Sequence, residues 1–196
     1  KEFELTTVIS EGEGEISGAG IYKADSLIEL RALPSEGYEF AGWEGDADGN
    51  SSIVLVLMDG NKSLQANFVK KKYHLIVKAE TGGTVSGSGF FSFGINTPIS
   101  AFAMDGYQFD GWDGTGLVSK KFRFTNVHIT QDINITAKFS PLKIVENLDE
   151  IEDLGNDWYS SGWFGLFYQF ENGWSYHLNF GWIFPVVHES NSIWFW

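Results

Sequence analysis

At 196 residues the chain has room for one large domain or two to three small ones. Its formal net charge of −13, from 26 Asp and Glu against 13 Lys and Arg, argues against nucleic acid and anionic membrane surfaces, whose phosphates it repels. The absence of cysteine excludes a disulfide framework and a thiolate metal site, and no apolar run approaches the roughly 20 residues of a spanning helix.

The first residues, Phe3 to Ile9, alternate loosely as a strand, with no leader ahead of them. That start reads as a fragment of a longer protein. Glu11-Gly12-Glu13-Gly14 follows as a turn, and the carboxylates of Glu11, Glu13 and Glu15, spaced by glycine, read as a solvated loop. Ser26 to Leu33 is compatible with a short helical turn. Ser52 to Met58, Tyr73 to Ala79 and Ile133 to Phe139 keep a period of two, with Tyr73, Leu75 and Val77 on one face.

The chain also repeats itself. Gly37-Tyr38-Glu39-Phe40-Ala41-Gly42-Trp43-Glu44-Gly45 returns as Gly106-Tyr107-Gln108-Phe109-Asp110-Gly111-Trp112-Asp113-Gly114. Glu15-Ile16-Ser17-Gly18 likewise returns as Thr84-Val85-Ser86-Gly87 at the same offset of 69. Gln65-Ala66-Asn67-Phe68 returns as Thr136-Ala137-Lys138-Phe139 at 71, which puts about two extra residues in the last loop of the second copy. Glycines and aromatics held in register over so long a period mark a duplicated structural module. Tyr38, Phe40 and Trp43 read as core, with Gly42 permitting a kink or close approach.

Gly82-Gly83-Thr84-Val85, Gly89, Gly94, the Gly106–Gly114 string and Thr136-Ala137-Lys138-Phe139 resemble the divergent internalin-B-type B-repeat of bacterial surface proteins. The first copy departs from it where Gly14-Glu15-Ile16 stands for Gly-Gly-Thr-Val. The resemblance spans residues 3–139. It implies an extracellular or cell-surface location, a small β-rich, β-grasp-like fold, a spacer or adhesion role, and no catalytic residues.

Chemistry is sparse in the repeats. Asp46, Asp48 and Asn50 place oxygens at alternate positions like the opening of a calcium loop, but Ser51 and Leu57 stand where glycine and glutamate belong. They are weak metal candidates, and the segment reads as a polar turn. His74, His128, His177 and His188 have no ligand spacing, and no nucleophile elbow or phosphate loop occurs. No cofactor and no enzymatic activity are expected.

From Pro141 the composition changes. Val145, Leu148, Ile151 and Leu154 have helical spacing in an acidic stretch, read as a linker or a short helix. Six of the eight tryptophans then crowd into the last 39 residues. Asn172-Gly173 between aromatic runs signals a two-residue hairpin, and the tail reads as small hairpins with rings on alternate faces. This segment is similar to the Trp-Gly-rich tails of large exported bacterial proteins and, more loosely, to choline-binding hairpin repeats.

The expected fold is mostly β: modules over 1–70 and 71–140, a linker or helix over 141–155, and an aromatic hairpin segment over 156–196. The expected role is a non-catalytic spacer or attachment module of a bacterial surface or secreted protein. Its partner would be a glycan, a cell-wall polymer or another surface protein, without membrane insertion. Two rivals stand beside it. One is a carbohydrate-binding or choline-type module using Trp158, Tyr159, Trp163, Trp174, Tyr176 and Trp182; the other is the ancillary end of an extracellular enzyme.

Overall fold

A computed structural model describes residues 1–143, 148, 150–188 and 192–195, with side chains as far as residue 184. Among these residues every regular element is a strand. The first copy forms β1 (Glu2–Glu11), β2 (Gly14–Ser17), β3 (Gly20–Lys23), β4 (Leu27–Pro34), β5 (Tyr38–Gly45), β6 (Ile53–Leu57) and β7 (Lys62–Lys70). The second forms β8 (Lys72–Ala79), β9 (Gly83–Ser86), β10 (Gly89–Ser92), β11 (Asn96–Ala103), β12 (Tyr107–Asp113), β13 (Phe124–His128) and β14 (Ile133–Pro141).

The two copies have one topology. A four-stranded sheet runs β3-β1-β7-β5 in the first and β10-β8-β14-β12 in the second, beside three-stranded sheets β2-β4-β6 and β9-β11-β13. The central pairs, β1 with β7 and β8 with β14, are parallel, while β1 with β3, β5 with β7, β12 with β14 and the pairs of the three-stranded sheets are antiparallel. The expectation of two small β-rich modules is met, each built on this mixed sheet with its central parallel pair. A three-stranded sheet is the second layer, and among the described residues no helix accompanies it.

Burial follows the period of two. In β7 Leu64, Ala66 and Phe68 point inward; in β14 Ile133, Ile135, Ala137 and Phe139 do. The first core joins both sheets through Leu5, Leu30, Val56, Met58, Leu64 and Trp43. Ser26 to Leu33 forms no helical turn. Leu27–Pro34 is β4, paired on both sides, because Ile28, Leu30 and Ala32 alternate inward and a strand alone gives them a common face.

The shared Gly-Trp motif explains itself in this frame. The ladder slips between Phe40 and Gly42, and again between Phe109 and Gly111, so each glycine sits in a β-bulge. Gly111 has φ +146°, and a Cβ there would come within 2.9 Å of the Lys120 carbonyl oxygen. The bulge turns the following indole inward, where Trp43 and Trp112 are almost fully buried. Phe40 lies 5.4 Å from Trp43 and 5.8 Å from Phe68; Phe109 lies 5.4 Å from Trp112 and 5.7 Å from Phe139.

Each indole also fastens a loop. Trp43 Nε1 donates to Ser51 O at 3.0 Å and its backbone N–H to Gly49 O at 2.9 Å. In the second copy Trp112 makes the same pair to Phe122 O and Lys120 O, at 2.9 and 2.8 Å. The acceptors are 71 residues apart while the tryptophans are 69 apart. The extra two residues therefore lie in the β12–β13 loop, one loop earlier than the expected last loop. Both anchoring bonds survive the insertion.

Beyond the repeats come β15 (Ile151–Gly155), β16 (Trp158–Ser161), β17 (Gly165–Gln169), β18 (Ser175–His177), β19 (Gly181–Ile183), β20 (Pro185–His188) and β21 (Ser192–Phe195). The first five make one antiparallel sheet in sequence order, and β20 pairs with β21. The stretch read as linker or helix is a strand over 151–155. Its pairing with β16 supplies backbone bonds that an isolated amphipathic turn lacks. Val145 and the rest of 144–147, with residue 149, lie outside the described residues.

By contacts the chain divides into two compact units. One holds Lys1–Tyr73 with Phe90–Ile95 and Ile129–Gln131, and the other holds the remainder.

Trp112→Ala is expected to cost about 3–5 kcal/mol by emptying the core. Trp112→Phe, which keeps most of the volume but loses the bond to Phe122 O, is expected to cost about 1 kcal/mol. Denaturant midpoints followed by circular dichroism check both values. Protease cleavage within 114–123 is expected to rise in both variants.

Candidate functional site

The C-terminal sheet sorts its rings by strand parity. Cross-strand partners run Trp158 to Tyr168, Tyr168 to Tyr176 and Tyr176 to Trp182, so one row crosses β16, β17, β18 and β19 on a single face. Phe170 and Trp174 extend this face at the β17–β18 turn, where Phe170 N–H donates to Trp174 O at 2.9 Å. Trp182 is the hub: its ring centroid lies 5.1 Å from Phe170, 5.4 Å from Tyr176 and 6.5 Å from Trp174. Trp158 reaches Tyr168 at 5.5 Å, and Tyr168 reaches Phe170 at 4.5 Å.

This face is open. Trp182 is 59% exposed and Trp174 40%. Two shallow hollows mark it, one of about 280 Å³ framed by Trp158, Tyr168, Phe170, Tyr176 and Trp182. The other, of about 470 Å³, is framed by Phe170, Asn172, Trp174 and Trp182. Polar groups stand at the margin: Asn172 lines the second hollow, and Asp157 Oδ2 lies 3.5 Å from the Tyr168 hydroxyl.

The opposite face is packed. Tyr159, Phe167 and His177 are cross-strand partners there, with Phe164, Ile183, Leu148 and Ile151 around them. His177 Nδ1 accepts the backbone N–H groups of Asn179 and Phe180 at 3.1 and 3.2 Å. Nε2 faces the Phe164 carbonyl oxygen. With backbone N–H groups on one nitrogen and a backbone carbonyl against the other, the ring bridges two turns inside the fold.

Of the six rings expected as a binding set, the structure brings together Trp158, Trp174, Tyr176 and Trp182. Tyr159 is on the packed face, stacked 5.8 Å from Phe167. Trp163 sits in the β16–β17 turn outside the row, against Phe164. Sequence reasoning missed Tyr168 and Phe170, although their alternation with buried Phe167 and Gln169 carried the signal. The Asn-Gly turn is a three-residue loop, 171–173, with Gly173 at φ +89° closing it and Asn172 Oδ1 accepting the Trp174 N–H.

The polar turn of the first repeat is committed elsewhere. Asp46 Oδ2 accepts the Ser63 N–H at 2.6 Å, fixing the turn to β7. Among the described residues no three His, Asp or Glu side chains gather to hold a metal ion. His128 Nδ1 lies 3.0 Å from Asn96 Oδ1, a cross-strand contact. The side chain of His188 lies outside the described ones.

The profile of the divergent InlB B-repeat domain matches residues 5–72 and again residues 73–143. The chain therefore belongs to that family, as two tandem copies. It is a family of bacterial surface repeat modules, structural in kind. No curated protein and no solved structure is significantly similar to the chain.

Burial raises the Tyr159 phenol above its usual value, and the carboxylates of Asp153 and Asp157 push it the same way. The folded sheet thus holds the neutral phenol, while the unfolded chain ionises near pH 10. The resulting stability is complete below that pH and is lost as pH rises through the folded value. Tyr159→Phe is expected to flatten this alkaline loss, read as the pH dependence of tryptophan-fluorescence unfolding between about pH 9 and 11. His177→Ala, which strands three backbone groups, is expected to cost about 3 kcal/mol in the same assay.

Proposed function

We propose that this chain is a non-catalytic surface module in which the two repeats act as spacer and the C-terminal sheet attaches to polysaccharide through its open aromatic face. The observation that supports the reading is the row Trp158–Tyr168–Tyr176–Trp182, in register across four strands, with Tyr176 and Trp182 exposed and Trp158 and Tyr168 half-buried. Contiguous exposed rings of this kind are costly in water and mark a contact surface. Flat rings offer π faces to the C–H groups of a pyranose, while Asn172 and Asp157 stand beside them to meet hydroxyls. In the repeats the recurring rings are turned inward and their indole N–H groups already bonded, which favours a scaffold role there.

The ring angles narrow the ligand. Trp158 meets Tyr168 at 75°, Tyr176 meets Trp182 at 75°, and Trp174 meets Trp182 at 79°. Rings so inclined share no plane, so the flat surface of a crystalline polysaccharide would rest on few of them. A single twisted glycan chain fits better. The net charge of −13 favours a neutral chain over a phosphate- or uronate-bearing polymer.

Glycan-array binding and retention on soluble neutral polysaccharides test this. Trp182→Ala is expected to weaken binding about tenfold or more, as loss of one stacked ring would, with unfolding little changed. Trp163→Ala, outside the row, is expected to leave binding intact. No retained glycan, or equal loss in both variants, defeats the proposal. Retention on a choline resin with release by free choline would replace it with an ammonium cage.

A further inference from the structure

The two copies of the Gly-Tyr corner are each covered by a phenylalanine, and the two phenylalanines come from unrelated pieces of chain. Gly37 is buried at φ +78° where the chain enters β5. A Cβ built on it would fall on the ring of Phe93. Phe93 belongs by sequence to the second repeat, in the β10–β11 turn, yet the segment Phe90–Ile95 is part of the first compact unit. Backbone bonds seat it: Lys71 N–H donates to Gly37 O at 2.9 Å, and Phe93 N–H donates to Lys71 O at 2.9 Å.

Gly106 is the same corner 69 residues on, buried at φ +75°. Leu142, which stands 71 residues after Lys71, donates its N–H to Gly106 O at 2.7 Å. Here a Cβ would fall on the ring of Phe184, which follows β19 in the C-terminal sheet. A Cβ on the buried Gly173 of the β17–β18 turn would meet Gly106 O, Leu142 O and Pro141 Cβ, each at 3.4 Å. The sheet is therefore seated on this corner at two points, both within the second unit.

We infer that the Gly-Tyr corner of a repeat is a socket for an aromatic ring from the module that follows, and that the C-terminal sheet is a cap filling the second socket with Phe184. The fitting partner is thus a module that presents a phenylalanine, whether a further B-repeat or this sheet. Glycine is what the socket needs, because any Cβ at that φ would occupy the ring's place. The first repeat has Ala24 where the second has Phe93, in a corner otherwise built alike. Asp25 N–H donates to Met58 O at 2.9 Å as Gly94 N–H does to Ile129 O at 2.7 Å. The first repeat receives a ring without offering one; the second does both. This inference rests on neither the spacer nor the glycan reading.

Double-mutant cycles in the full chain test it. Gly106→Ala brings both backbone strain and collision with Phe184, and Phe184→Ala removes only the collision. Gly106→Ala is therefore expected to lower the unfolding midpoint less in the Phe184→Ala background than alone. Gly37→Ala is expected to behave likewise with Phe93→Ala, while the crossed pair Gly37→Ala with Phe184→Ala should be additive. Phe184→Ala and the milder Phe184→Leu should also raise tryptic cleavage at Lys143, by about tenfold for alanine, with Phe93→Ala leaving that site unchanged. Additivity within both sockets, or cleavage at Lys143 indifferent to Phe184, overturns the inference.

Discussion

The indoles of Trp43 and Trp112 hold each repeat at the place where it is hardest to hold. A unit of some 70 residues has little interior, and its β5–β6 or β12–β13 loop must be drawn onto it. The bulged glycine before each tryptophan swings the indole into the space between the two sheets, while the indole N–H and the backbone N–H both bind the loop. Core packing and loop anchoring thus depend on one side chain. That dependence explains why the second copy absorbs two extra residues without disturbance: the loop lengthens between fixed points.

Much of this was legible. The duplicated string named the core aromatics, and the period of two marked β6, β8 and β14 as strands, with Tyr73, Leu75 and Val77 on one face of β8. What escaped was whatever needed a partner strand to define it. Leu27–Pro34 became a strand because β2 and β6 flank it, and residues 151–155 did so because β16 lies alongside. Nothing local in either segment announces those neighbours. Aromatic density alone groups Tyr159 with Trp158, yet adjacent residues of a strand point to opposite faces. Tyr168 and Phe170 were passed over for the same reason. A register shift of one residue would exchange the two sets completely, and sequence alone does not fix that register.

Aromatic residues therefore have two roles in one chain. In the repeats the duplicated indoles, Trp43 and Trp112, are turned inward and hydrogen-bonded, with Phe68 and Phe139 buried beside them. In the C-terminal sheet there are enough to fill one face and still line the other. The packed face is secured by His177, whose ring nitrogens take up backbone groups from the β16–β17 and β18–β19 turns. Acidic side chains at the margin of the open face, Asp157 and Glu171 among them, help keep so apolar a surface soluble.

The open face and the socket on Gly106 share a side chain. Trp174 lies 4.9 Å from Phe184, the ring over the glycine, and 6.5 Å from Trp182, the hub of the exposed row. Its own turn carries Gly173, where a Cβ would come within 3.4 Å of the Leu142 and Gly106 carbonyl oxygens. Seating the cap on the second repeat thus restrains the rotamer of the tryptophan at one end of the row. A ligand held by inclined rings needs those rings fixed before it arrives, since ordering several large side chains on binding would consume much of the affinity. On the proposed glycan reading, the corner glycine that makes room for Phe184 would bear on recognition as well as on assembly, through two ring contacts and one tight turn.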